Sequence, residues 1–250
     1  MTLSDAELER YARHIVLREI GGGGQARLKA SSALVIGAGG VGSPAIQYLA
    51  AAGLGRLTIV DDDRVDLTNL QRQTIFDTGD VGTPKSVAAQ ARARAINPHV
   101  DVTAVRARID AGNVDALIAG HDVVLDGTDN FATRLIVADA CLRARVPLVS
   151  AAVGEFEGQL GVFRGWEADR PCYRCFVGDA PEREGVSCAE QGVLGALTGV
   201  LGSLGALEAI RAIAPFGEDG AGKLVLIDAL AMRFRTLTLP KDPGCPACAG

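Results

Sequence analysis

The chain has 250 residues and a formal net charge of −5, with 25 basic and 30 acidic residues spread along its length. That length suits one sizeable α/β domain able to bury a core without disulfides, and the scattered charge offers no basic patch for nucleic acid. Met1 to Glu9 is polar and acidic, and the longest uncharged apolar run, Gly192 to Leu207, falls short of a membrane span of ~20 residues. A cytoplasmic protein with no membrane partner is therefore expected, in a reducing compartment where the six cysteines do not form a disulfide framework.

In chain order, Ser4 to Ile20 predicts one amphipathic helix, with a Ser4–Glu7 capping box and an apolar stripe of Leu8, Tyr11, Ile15 and Val16. Gly21 to Gly24 should break it. Strands are then expected at Ala33–Ile36, Arg56–Asp61, Asp101–Val105, Asp122–Asp126 and Pro147–Ala151, alternating with helices at Val41–Ala52, Pro84–Ile96, Asn113–Ala119 and Phe131–Ala144. Continuous apolar strands joined by helical crossovers imply a Rossmann-like, mainly parallel sheet with helices on both faces. Beyond about residue 155 the rhythm changes: Gln159–Phe163, Lys223–Ile227 and Phe234–Leu239 read as antiparallel strands, with one long helix from Gly192 to Ala212. Its Gly195, Gly199 and Gly202 share a face and predict close packing. The expected organisation is a single unit over 1–250, comprising a helical arm (1–30), nucleotide-binding βα units (31–155) and an antiparallel extension (156–250).

The first crossover opens with "ALVIGAGGVG", spaced G-x-G-x-x-G. Gly37 permits the tight turn, Gly39 lets backbone approach a phosphate, and Gly42 lets the helix pack on the strand. Nineteen residues after Gly42, Asp61 ends the second strand, placed for a ribose hydroxyl. This unit reads an adenosine ribose and adjacent phosphates, which NAD and ATP share. The following "DDDRVDLTNLQRQTIF" and "VGTPK" are richer than a dehydrogenase needs: Asn69, Arg72 and Gln73 can converge on phosphate, and Lys85 sits at a helix start behind Thr83 as cap and Pro84. A solvated loop and helix start is the plainer alternative. In "VVLDGTDNFATR", Asp126 ends a strand and Asp129 and Asn130 precede a helix, where a carboxylate either caps the helix or holds Mg²⁺ with nucleotide phosphates.

Cys172–Cys175 ("CYRC") and Cys245–Cys248 ("CPAC") supply four thiolates for a closed, structural tetrahedral zinc site. Cys141 lies in a helical pattern as a small core residue. Cys188, in the polar "GVSCAEQG", is either an exposed nucleophile or a bystander. His14, His99 and His121 form no catalytic arrangement.

Taken together, "RYARHIVL", "VIGAGGVGSPAIQYLAAAGLG", "VDDDRVDLTNLQRQTIF", "VGTPK", "INPHV", "DGTDN", "CYRC", "SCAEQGV", "GVLGSLGALEAI" and "GCPAC" resemble the ThiF/MoeB/HesA family, bacterial relatives of ubiquitin-activating enzymes, across essentially the whole chain. The resemblance implies that ATP adenylates the C-terminal glycine of a ubiquitin-like sulfur-carrier protein ending in Gly-Gly. It places the ATP site on Gly39, Gly40, Asp61, Asn69, Arg72, Lys85 and Asp129, with Asp61 on the ribose, Arg72 and Lys85 on the phosphates and Asp129 on Mg²⁺. It also implies a homodimer in which Arg13 reaches the partner's ATP site, and it aligns Cys188 with a sulfur-transfer cysteine of the thiamine branch. Gly127 stands where family members often carry Cys, a tolerable change. Neither a rhodanese domain nor the catalytic-cysteine domain of ubiquitin-activating enzymes is recognisable, so sulfur is expected from a separate cysteine desulfurase or rhodanese. The absence of a catalytic histidine suits this chemistry, because a carboxylate nucleophile of pKa ~3.5 is already ionised at pH 7. A molybdopterin-synthase-type adenylyltransferase is the leading expectation. Its alternatives are the thiamine-pathway homologue, an NAD-dependent dehydrogenase and a silent zinc-stapled binding module.

Overall fold

Short runs of β-branched and aliphatic residues become buried strands when helices cover both of their faces. In the computed structural model, which describes residues 2–178 and 192–249, eight strands form one sheet. They are β1 (Ser32–Ile36), β2 (Arg56–Val60), β3 (Asp101–Val105), β4 (Val123–Asp126), β5 (Leu148–Gly154), β6 (Glu157–Phe163), β7 (Lys223–Asp228) and β8 (Arg233–Thr238). Their spatial order is β3-β2-β1-β4-β5-β6-β7-β8. Pairing is parallel from β3 through β5 and antiparallel from β5 onward. The expected α/β architecture with an antiparallel extension is therefore present.

The helices are α1 (Asp5–Arg10), α2 (Ala12–Ile15), α3 (Gly21–Ala30), α4 (Gly42–Ala51), α5 (Lys85–Ile96), α6 (Val114–Ile118), α7 (Phe131–Ala144), α8 (Tyr173–Val177) and α9 (Gly195–Ile213). Side chains alternate across a strand, so Ala33 and Val35 of β1 enter one core with residues of α3, α4, α5 and α9. Leu34 and Ile36 enter a second core with α6, α7 and α8. Cys141 is buried in the second core, as expected.

The helix α9 is 19 residues long and apolar enough, by length and composition, to cross a bilayer, longer than the uncharged run suggests because Glu208 and Arg211 fall within it. Leu197, Leu201, Ala206 and Ala209 are buried against the sheet. Fully burying a leucine contributes roughly 1.5–3 kcal/mol. Gly202 makes this packing possible, since a Cβ there would sit 2.1 Å from the Val41 carbonyl oxygen of the chain leading into α4. Gly199, expected to share that role, faces open space.

The N-terminal segment departs from expectation. The Ser4–Glu7 capping box forms, but Ser4–Ile20 is not one helix: α1 and α2 are separate short helices. Of the apolar stripe only Tyr11 is fully buried, with its hydroxyl accepting from Asn97 Nδ2 at 2.8 Å, while Leu8 and Val16 are exposed. Gly21–Gly24 open α3 instead of ending a helix. Glycine is a poor helix former; here Leu28, fully buried, and Gln25, donating to the Ala52 carbonyl at 2.7 Å, fix the segment from outside. Tertiary anchoring overrides local propensity.

Candidate active site

In a doubly wound sheet, ligands bind beyond the carboxyl ends of the strands where the crossover direction reverses. That point lies between β1 and β4, which are adjacent and parallel. A cavity of about 650 Å³ opens there. Its wall contains Gly37, Gly39, Gly40, Asp61, Asn69, Arg72, Lys85 and Asp129, so eight of the expected site residues are brought together. Gly42 lies behind the wall as the first residue of α4. Arg13 is exposed on α2 and is not part of the cavity wall. Cys188 lies outside the described residues.

The glycine turn is dictated by sterics. Gly37 has φ +88°, a backbone conformation that a side chain disfavours, and a Cβ on Gly42 would fall 1.9 Å from the Gly37 carbonyl oxygen. The nearest atom to a Cβ built on Gly39 is Gln73 Nε2 at 3.8 Å, so backbone is open to the cavity there. Asp61 lies one residue beyond β2. Its carboxylate accepts from the Ala38 N–H at 2.7 Å and the Asp63 N–H at 2.9 Å. Burial raises its carboxyl above the ordinary value, opposed by those hydrogen bonds and by the Lys85 charge.

Lys85 is buried and is the first residue of α5. Pro84 occupies the N-cap, and no side chain caps the helix, so the expected Thr83 cap does not form and Pro84 lies one position earlier than expected. A buried ammonium needs a partner, and Lys85 Nζ finds one in Asp63 Oδ2 at 2.9 Å. Asp63 is mostly exposed and carried no role in the sequence; its spacing two residues after Asp61 was the available signal. Asn69 closes a short turn after Asp66, and Arg72 rests one Nη1 on the Thr68 carbonyl at 3.1 Å. Gln73 is buried, and its Oε1 has no protein partner. The wall holds four cationic residues, Arg72, Lys85, Arg108 and Arg134, beside Asp61, Asp62, Asp63 and Asp129. The cations, the glycine-turn backbone and an unsatisfied amide around one space suit a polyanionic nucleotide with its metal.

At the next loop, Asn130 caps α7 by accepting from the Thr133 N–H at 3.0 Å, which leaves Asp129 free of that task and in the cavity wall. Thr198 of α9 closes the rear, 2.9 Å from where a Cβ on Gly40 would lie. Arg134, also in the wall, had no role assigned from sequence; its position one turn after the Asn130 cap was the signal.

At α8, which Cys172 precedes and which contains Cys175, the sulfurs of Cys172, Cys175, Cys245 and Cys248 all lie within 4.8 Å of one another. Neighbouring Sγ distances are 3.8, 3.6 and 3.4 Å. A tetrahedral ion with ~2.3 Å metal–sulfur bonds sets its ligands about 3.8 Å apart, so the cluster fits one. The three histidines stay outside the cavity: His14 meets Gln25 Oε1, His99 accompanies Asn97, and His121 Nε2 lies 2.9 Å from Thr58 Oγ1.

Comparison with known proteins agrees with this arrangement. The model of the ThiF family matches residues 11–247. The molybdopterin-synthase adenylyltransferase of Escherichia coli K12 is 46% identical over 246 residues, covering 98% of each chain. The SAMP-activating enzyme E1 of Haloferax volcanii is 47% identical over 249 residues, covering 99% of this chain and 91% of that one. Among solved structures, E. coli MccB crystallised with ATP superposes with a TM-score of 0.84 at 22% identity, over 96% of this chain and 75% of that one, which establishes the shared fold. The chain therefore belongs to the ThiF family.

Proposed function

We propose that the protein uses ATP to adenylate the C-terminal glycine carboxylate of a ubiquitin-like sulfur carrier. The observation that carries this reading is the convergence of the glycine turn, Arg72, Lys85 and Asp129 on one cavity, with no histidine in its wall among the described residues. The E. coli relative named a molybdopterin-synthase adenylyltransferase, matched over 98% of each chain, supports it. Asp61 would receive the ribose, and Arg72 and Lys85 the phosphates. Asp129 would hold Mg²⁺, which neutralises phosphate charge when bound.

The chemistry asks the protein chiefly for alignment. A carrier carboxylate oxygen bonds to the α-phosphorus, and the bond from that phosphorus to the bridging oxygen breaks. Pyrophosphate leaves with the electron pair, and the acyl-adenylate remains for a sulfur nucleophile. No proton need be removed, because the carboxylate is ionised at neutral pH. Holding two anions in line and screening their charge lowers the barrier, a task that suits Arg72 and Lys85 in the wall and requires no histidine base.

In this reading the enzyme acts as a homodimer, with Arg13 completing the partner's site, which is consistent with its exposure on α2. The four cysteines hold a structural zinc that ties the C-terminal segment to α8, and no step passes through it. The carrier lies across β6–β8, where Phe156, Leu230, Met232, Phe234 and Leu237 are exposed beside a second cavity of about 750 Å³. The pathway is that of molybdopterin synthase, and a separate cysteine desulfurase or rhodanese delivers the sulfur. Cys188 is a candidate sulfur-transfer residue.

ATP–pyrophosphate exchange with candidate carriers ending in Gly-Gly tests the proposal. Exchange should appear with one such carrier and fall by roughly 10²–10³-fold in Lys85→Ala and Asp129→Ala. Exchange retained in both variants would remove those residues from the mechanism. Mixing Arg13→Ala with Lys85→Ala subunits should restore part of the activity; no recovery would place Arg13 outside the partner's site.

A further inference from the structure

The loop that carries Asp129 is held from two sides. From the sheet, the fully buried Asp126 accepts from the Thr128 N–H at 2.9 Å and from the Thr128 hydroxyl at 2.7 Å. From the helix, Arg134 in the first turns of α7 turns its guanidinium back toward the same loop. Its Nη2 donates to the Thr128 carbonyl and, at 2.8 Å, to the Ala151 carbonyl of β5. Its Nη1 reaches the Ser150 hydroxyl at 3.4 Å. One side chain therefore joins the β4–α7 loop to β5. Ala151 and Asp129 both belong to the cavity wall.

Stability alone does not explain this arrangement. Arg134 is only 7% exposed, its hydrogen bonds go to neutral carbonyls and a hydroxyl, and it lies near the N-terminal end of a helix, where the macrodipole disfavours a cation. What the guanidinium does provide is a planar fork that fixes two backbone segments at once, which an ammonium matches poorly. The fork is itself backed by the first cysteine pair. Tyr173, between Cys172 and Cys175, is buried and shares a small pocket with Arg134 and Ser150. The neighbouring Arg174 forms a two-pronged pair with Asp139 of α7 at 2.7 and 2.8 Å. Residues of the cysteine pair thus grip the helix that presents Arg134.

We propose that Arg134 is a positioning residue that sets the place of the Asp129 carboxylate, with Tyr173 holding Arg134 in register. The role of Asp129 rests on the adenylation reading; the bracing of its loop does not.

The test uses the full chain and Mn²⁺ in place of Mg²⁺. Binding of Mn²⁺ to the protein with a non-hydrolysable ATP analogue is followed by electron paramagnetic resonance, beside metal-free nucleotide binding and thermal melting. In Arg134→Lys, Mn²⁺ affinity should fall about ten-fold, in the range for residues that orient a metal ligand, while metal-free nucleotide affinity stays within about two-fold. The Mg²⁺ concentration for half-maximal exchange should rise in parallel, with kcat largely recovered at saturating metal. Tyr173→Phe should shift the same quantities in the same direction by about two- to three-fold.

Unchanged metal affinity, or metal and nucleotide affinity falling together with thermal stability, overturns the proposal. If Arg134→Lys does not fold, Tyr173→Phe decides alone, and unchanged Mn²⁺ affinity there overturns it equally. Wild-type protein that binds Mn²⁺ and nucleotide but exchanges with no carrier would refute the adenylation reading while leaving the Arg134 readout intact.

Discussion

The two halves of the sheet solve the burial problem in opposite ways. In the parallel half, β1 and β4 are buried at every position and β2 at all but Arg56, because helices lie on both faces. In the antiparallel half, β8 is exposed at all six positions and β7 is only partly covered. The first half is enclosed by cores that it shares with α9 and β6 of the extension, and its loops are free to carry chemistry. The second half ends in a tail whose Cys245 and Cys248 meet Cys172 and Cys175, and it leaves Met232, Phe234 and Leu237 uncovered. In the proposed reading, nucleotide chemistry lies on the first side, and the tether and carrier docking on the other.

The sharpest way to break this division is Gly42→Ala. The added methyl would meet the Gly37 carbonyl oxygen at 1.9 Å, a backbone atom of the turn that joins β1 to α4. A loss of about 3 kcal/mol or more is expected, with nucleotide binding abolished; near-normal melting and binding would show that the turn is not sterically set. Gly40→Ala sharpens the comparison, since its clash is with side-chain atoms of Thr198 at 2.9 to 3.0 Å. Thr198→Ala should relieve it only in part, because the Thr198 Cβ remains 3.0 Å away, and Thr198→Gly should relieve it further.

The next effect concerns the tether. Stripping the zinc proposed for the cysteine cluster, or Cys245→Ser, should lower the melting temperature by roughly 10 °C, about 3–5 kcal/mol for a domain of this size. Hydrogen exchange should rise first in β7, β8 and the C-terminal segment. Uniform loss of protection across β1–β5 would contradict the division.

A smaller effect is expected on the face proposed for carrier docking. Met232 is 78% exposed, so Met232→Glu should leave folding and ATP binding unchanged. Carrier-dependent exchange should fall about ten-fold, or roughly 1.4 kcal/mol. Unaltered carrier kinetics would move the docking surface elsewhere.

The smallest lies at the N-terminus. Lys29 and the Ser4 cap hold the Glu7 carboxyl at about 2, below its ordinary 4.5. A depressed carboxylate adds stability that is fully present above pH 4.5 and lost as pH falls through about 2. Urea unfolding should therefore show Glu7→Gln weaker than wild type at neutral pH, with the gap closing over that range. A gap independent of pH would assign the effect to packing.

The same division governs what was legible from the chain alone. Strands buried on both faces announce themselves as unbroken apolar runs, and the glycine spacing carries its own steric reason, so the parallel half could be read nearly to the residue. The cysteine cluster was legible by counting thiolates. Three things were not. Gly21–Gly24 reads as a break because propensity cannot register the burial of Leu28 and Gln25. Asp63 and Arg134 act through partners brought close only by the fold, Lys85 in one case and the carbonyls of Thr128 and Ala151 in the other. The Thr83 cap was a plausible local choice that the antiparallel bridge between Arg64 and Pro84 displaces.

The central claim is most directly tested by following ATP labelled at its α-phosphate in the presence of a carrier ending in Gly-Gly. Label should appear on the carrier's C-terminal glycine, with one pyrophosphate released per label, and should vanish when the terminal glycine is deleted or when Lys85→Ala replaces the wild type. Tight ATP binding with no label on any such carrier, or pyrophosphate release indifferent to the carrier, would contradict it.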